Sequence, residues 1–77
     1  MPIRVKFFAS LREELPHAVD SVDATGVGTV ADVWARATEA RAMPEHVLCS
    51  VNLEHRSAND PVADGDEVAF FPPVTGG

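Results

Sequence analysis

One stretch of this chain repeats apolar residues with the period of a helix long enough to cover a sheet. Val30, Val33, Trp34 and Ala37 fall at i, i+3, i+4 and i+7. Thr29 before them and Asp32 three residues later have the spacing of a capping box, in which two side chains satisfy amide donors at the helix start. With 77 residues and one cysteine, the chain has room for one core and no internal disulfide to support it. A single main helix must therefore cover one face of one sheet, with Trp34 at the centre of the contact.

The strands are read from period two. Ile3, Val5 and Phe7 alternate with Arg4, Lys6 and Phe8, so Phe8 falls on the face away from the core. The turn signal Asp64-Gly65-Asp66 leads into Glu67 to Phe71, where Val68 and Phe70 point inward and Ala69 and Phe71 outward. Val47 to Val51 reads as a nearly continuous apolar strand. Ala18 to Asp23 alternates more weakly, and Glu54 to Arg56 is a short strand inside a polar stretch from Asn52 to Pro61. Ser10 and Glu13 repeat the capping spacing, and Leu11 and Leu15 share one helical face, predicting a short helix that Pro16 ends. Thr25 to Gly28 is a turn, and Met43-Pro44 predicts that the main helix fades near Arg41.

The elements in order are strand, short helix, strand, main helix, then two or three strands. The fold class is α+β: a mixed sheet of four to five strands packed against one main helix, with a short helix after the first strand. Residues 1–77 make one domain, with 72–77 as an extended, mobile C-terminal tail.

Composition narrows the function. The formal charge of -6, from 12 acidic and 6 basic residues, is repelled by a phosphate backbone, so nucleic acid is a poor partner and a protein with a basic groove a better one. No apolar run is long enough to span a membrane, and Met1-Pro2-Ile3-Arg4 does not begin a signal peptide. Cys49, inside an apolar run with no basic neighbour in sequence, reads as a small buried hydrophobe rather than a reactive thiol. A lone cysteine fits a reducing compartment, and the expected location is the cytoplasm.

No stand-alone active site is legible. His17, His46 and His55 are scattered and lack metal-ligand spacing. Asp64, Asp66 and Glu67 lack the remaining positions of a calcium loop. Ser10, Ser21, Ser50 and Ser57 have no histidine and carboxylate at motif spacing, and so small a chain has difficulty surrounding a substrate. No catalytic residue, metal site or stably bound cofactor is expected.

The chemistry gathers instead at the C-terminal end. Pro72 and Pro73 fix φ and lack amide donors, so the ladder of the last strand stops and the chain leaves extended. Pro72 to Gly77 reaches at most about 20 Å. Gly76 and Gly77 have no Cβ to clash with the walls of a narrow channel. A terminal carboxylate is a poor electrophile until a separate enzyme adenylates it with ATP. Attack by a sulfur donor then displaces the adenylate and leaves a thiocarboxylate, a nucleophile on a protein handle.

Several residue groups carry a likeness to a known family: Phe7-Phe8-Ala9, Arg12-Glu13, Val51-Asn52, and above all the fourteen residues from Asp64 to Gly77. They resemble the MoaD family, the small sulfur-carrier subunits of molybdopterin synthase. The likeness runs the whole length and is weakest between Ala18 and His46. It implies a ubiquitin-like β-grasp fold in which the first and last strands are parallel and adjacent, which brings Phe8 and Phe71 onto one patch. It also implies adenylation of Gly77 by an E1-like enzyme of the MoeB kind, sulfuration by a sulfur donor protein, and insertion of Pro72, Pro73, Val74, Thr75 and Gly76 into a MoaE-like large subunit within a heterotetramer. There the thiocarboxylate gives sulfur to the cyclic pyranopterin precursor of the molybdenum cofactor, and the catalytic residues belong to the large subunit. Phe8, Arg12, His55 and Phe71 are the implied partner contacts. His55 stands where the family pattern has an apolar residue. The alternatives are a ThiS-like carrier for thiamin thiazole synthesis, a ubiquitin-like modifier attached to lysines through Gly77, and a plain binding module; the Phe-Phe-Pro-Pro root favours the molybdopterin branch.

Overall fold

The computed structural model describes residues 2–15, 18–40, 42–43 and 47–72. Seven elements follow one another: β1 (Ile3–Phe7), α1 (Ser10–Glu14), β2 (Ser21–Val22), α2 (Val30–Ala37), β3 (Leu48–Val51), β4 (Glu54–Arg56) and β5 (Glu67–Phe71). The five strands form one sheet in the order β2-β1-β5-β3-β4. β1 and β5 run parallel at its centre, pairing Arg4 with Glu67 through Phe7 with Phe70, and every other pair is antiparallel. The expected β-grasp arrangement is therefore present, with first and last strands adjacent.

One face of the sheet is the core. Ile3, Val5, Val68 and Phe70 are buried against Val30, Val33, Trp34 and Ala37 of α2. Trp34 stands edge-on to Phe7 and Phe70, with ring centroids 5.7 and 5.0 Å away, while those two rings stack on each other at 5.5 Å. Edge-to-face and offset contacts satisfy the aromatic quadrupoles while burying large apolar areas.

The start of α2 leaves no donor of its first turn unpaired. The Asp32 amide donates to Thr29 Oγ1 at 3.2 Å, and Asp32 Oδ2 accepts from the Gly28 and Thr29 amides, completing the expected capping box. The Val30 and Ala31 amides donate to the carbonyls of Asp60 and Ala58, so the polar stretch after β4 becomes a cap for the helix.

Four boundaries differ from expectation. α2 ends at Ala37 rather than near Arg41, which lies outside the described residues. Thr38 Oγ1 donates to the Trp34 carbonyl, and the Ala40 amide reaches back to the Ala35 carbonyl with Glu39 and Ala40 at φ of 58° and 65°. That long backward bond belongs to a Schellman-type ending, formed here without glycine.

Ser10 does not cap α1. Ala9 occupies that position at φ 53° with no side-chain bond, because the Phe8 amide is still held in the ladder by the Phe70 carbonyl and the chain must turn within one residue. Leu11 and Leu15 are buried as expected; Pro16 lies outside the described residues.

β2 is two residues long rather than spanning Ala18 to Asp23. The Val19 amide donates to the Ala37 carbonyl, which draws the preceding chain away from β1 and towards the end of α2. β3 starts at Leu48, one residue later than expected.

Candidate functional site

Among the described residues, the second face of the sheet carries no helix. Strand alternation places Arg4, Lys6 and Phe8 on it from the β1 segment, Glu67, Ala69 and Phe71 from β5, Leu48 and Ser50 from β3, and His55 from β4. Phe8 and Phe71 stack with centroids 4.8 Å apart and planes 8° from parallel. Their closeness follows from the parallel register: Phe7 pairs with Phe70, and the next residue on each strand leaves on the opposite face.

The stacking changes how far the outward pair is exposed. Phe71 is half-buried rather than exposed, because Phe8 covers one side of its ring. Ala69 points away from the core yet is buried, with Lys6 and Ser50 as its neighbours on the adjoining strands. Phe8 is exposed, as expected.

Leu48 was not among the residues picked out from sequence. It pairs with Phe71 and remains exposed, extending the aromatic pair into a three-residue apolar patch. The signal was present: Cys49 and Val51 face the core, so period two assigns Leu48 to the other side, but a continuous apolar run conceals that parity. Two-stranded neighbours at ordinary side-chain spacing make such a patch contiguous, which is uncommon for single exposed apolar residues.

The other expected contacts lie around this patch. His55 pairs with Ser50, which pairs with Ala69, so it shares the open face two strands from Phe71, roughly 12 Å away at standard strand spacings. Arg12 projects from α1 and borders the same surface groove as Phe8. Pro72 follows Phe71 directly and is half-buried. Pro73, Val74, Thr75, Gly76 and Gly77 lie outside the described residues, as do His17 and His46.

At the end of the sheet remote from Pro72, a hydrogen-bonded turn sets the register of β5. The Asp66 amide donates to the Ala63 carbonyl with Gly65 at φ 86°, and Asp66 Oδ2 accepts from the Ala63 amide. Asn52 joins this turn to the β3–β4 hairpin: its Nδ2 donates to Asp66 Oδ1 and its Oδ1 accepts from the Glu67 amide, both at 3.0 Å. These bonds hold the start of β5 in register, so Phe71 and Pro72 leave the sheet beside Phe8.

Cys49 is buried among the core residues, and burial pushes its thiol pKa up. It takes no part in the open face. Among the described residues no group of three or more His, Cys, Asp or Glu side chains converges on a metal position, and no helix is long and apolar enough to cross a membrane.

Comparison with known proteins agrees with this geometry. Residues 5–77 match the ThiS family. The molybdopterin synthase sulfur carrier subunit of Escherichia coli is 40% identical, over 97% of this chain and 99% of its own length. That of Haemophilus influenzae is 35% identical with the same coverage. Among solved structures, SAMP1 from Haloferax volcanii superposes with a TM-score of 0.79 at 29% identity, covering all of both chains. A structure of the H. volcanii small archaeal modifier protein 1 gives 0.77 at 28% identity, covering 95% of this chain and 98% of its own. With a near-complete sequence match and a ubiquitin-like β-grasp fold, this chain belongs to the ThiS family.

Proposed function

We propose that this chain is the sulfur-carrying small subunit of a molybdopterin synthase, acting in the cytoplasm. The observation that carries the reading is the near-full-length identity to two proteins named as such carriers. The geometry supports it, because β5 delivers Phe71 and Pro72 to the edge of an open apolar patch from which a tail can enter a partner.

In this reading an E1-like enzyme of the MoeB kind uses ATP to adenylate the Gly77 carboxylate, releasing pyrophosphate. A sulfur donor then displaces AMP and leaves the thiocarboxylate. Pro72 to Gly76 form the thread that enters a MoaE-like large subunit, where the sulfur passes to the cyclic pyranopterin precursor. Phe8 and Phe71, with Leu48, are the main partner contacts, and Arg12 and His55 lie at the margin. The chain supplies the reacting group, and the catalytic side chains belong to the large subunit in the heterotetramer.

A second reading, conjugation of Gly77 to lysines of other proteins, is favoured by the structural likeness to the archaeal modifier protein. One experiment separates the two. The chain is incubated with a MoeB-type enzyme, ATP and a sulfur donor, weighed intact by mass spectrometry, then mixed with large subunit and precursor. Replacement of one oxygen by sulfur followed by molybdopterin formation is the expected result. Absence of the exchange refutes the carrier, and isopeptide adducts in cell extracts without molybdopterin formation establish the modifier.

A further inference from the structure

Among the described residues, β1 is paired along the whole of one edge and along only part of the other. On the β5 side the Arg4 and Phe8 amides donate to the Asp66 and Phe70 carbonyls at 2.9 and 3.1 Å. On the β2 side pairing covers Ile3 and Arg4, and the last bond is from the Val5 amide to the Asp20 carbonyl at 2.8 Å. Beyond it the chain is drawn off, because the Val19 amide donates to the Ala37 carbonyl and the Ala18 amide to the Leu15 carbonyl. Strand alternation aims the Phe7 N–H and C=O at this outer side, and no described residue pairs with them there.

A groove of about 860 Å³ lies along the open edge. Val5 to Phe7 form its strand wall, and Leu15 and Val19 contribute apolar surface opposite. Arg4, Lys6 and Arg12 also border it, with Asp20 as the acidic member. Half of the chain's 6 cationic side chains therefore surround one groove of a protein whose net charge is -6. Lys6 is 3.5 Å from Glu67, whereas Arg4 and Arg12 meet no carboxylate within ion-pair distance among the described residues.

An unpaired strand edge beside an apolar wall accepts an extended peptide as an added strand, with backbone bonds supplying affinity and side-chain alternation supplying choice. Alternate residues of such a strand face the Leu15 side and the Arg4 and Lys6 side. The local cations select carboxylates, while the acidic surface elsewhere disfavours the same segment. We propose that the outer edge of β1 is a strand-addition site for a short extended segment of a partner protein in which apolar residues alternate with Asp or Glu. The proposal does not depend on whether Gly77 carries sulfur.

The test uses the full chain, labelled with ¹⁵N, and the peptide acetyl-Asp-Val-Glu-Val-Asp-amide as probe. Expected are saturable amide shifts at Val5, Phe7 and Val19, and hydrogen exchange at the Phe7 amide slowed about tenfold or more at saturation, since that donor becomes paired. Lys6→Glu and Val19→Asp should each weaken binding about tenfold through like-charge repulsion; Val19 is 47% exposed, so that variant retains the fold. The acetyl-Lys-Val-Lys-Val-Lys-amide counterpart should not bind. Absence of saturable shifts at millimolar peptide, equal binding of the basic peptide, unchanged Phe7 exchange, or shifts confined to Leu48 and Phe71 would each overturn the proposal.

Discussion

Phe8 and Phe71 lie face to face at 4.8 Å on the helix-free side of the sheet, one residue beyond the last paired position of the two central strands. This stack turns a parallel register into a surface feature, because it occupies the point where β5 passes into Pro72. A double-mutant cycle with Phe8→Ala and Phe71→Ala, measured by urea unfolding, should give a coupling of about 0.5 to 1.5 kcal/mol. Trp34 fluorescence should be unchanged in the folded double variant, since its ring contacts are to Phe7 and Phe70 on the opposite face. A coupling near zero would mean the rings do not stack in solution.

The β3–β4 hairpin turns through Asn52 and Leu53, both left-handed at φ 51° and 71°, and Leu53 is 89% exposed. Two positive φ values are the type I′ requirement, and glycine is the favoured second residue. Leu53→Gly should therefore raise stability by about 1 kcal/mol, since a non-glycine residue in this region costs roughly 1 to 2 kcal/mol and loses little packing here. Calorimetry should read this as a higher Tm, by about 4 to 8 °C for a domain of this size.

At the start of α2, Thr29→Ala should cost about 1 kcal/mol by removing a cap. Asp32 tests the same cap through pH. Amide bonds from Gly28 and Thr29 hold its carboxyl below the ordinary value of 3.8. A depressed folded pKa stabilises the fold above the unfolded value and stops doing so as the pH falls through the folded one. Asp32→Asn should accordingly lose less stability than the wild type when the pH is lowered through the acid range. Parallel unfolding curves for the two proteins at each pH check this.

Burial of Cys49 raises its thiol pKa above 9.0, so the folded chain holds the thiol proton to higher pH than the unfolded chain does. Stability should thus decline as the pH rises past that ordinary value, and Cys49→Ala should flatten the decline. Alkylation of Cys49 at neutral pH should proceed only through opening of the fold. Its rate should rise with urea, in step with exchange of the slowest core amides.

The helix and the central strands were legible because their signals are local and repeated. Val30, Val33, Trp34 and Ala37 are buried on one stripe, and Ile3, Val5, Val68 and Phe70 alternate inward as period two predicts. Boundaries set by distant acceptors were not legible. The length of β2 depends on the Ala37 carbonyl, whereas the end of α2 is set locally, by a backward bond from Ala40 to Ala35 formed without the glycine that would announce it. Ser10 had the right spacing for a cap but not the right backbone, since Phe8 remains committed to the sheet one residue too long.

From sequence alone came the outward parity of Phe8 and Phe71, the proline break after β5, and the choice of a sheet covered by a single helix. These follow from side-chain geometry along one segment at a time. Only the tertiary structure decided that the two phenylalanines stack, that Leu48 joins them, and that Arg4, Lys6 and Arg12 border a stretch of β1 that no described strand pairs. Those outcomes depend on which strands become neighbours and where a pairing stops. Both are set by hydrogen bonds between residues far apart in the chain, which no local period encodes.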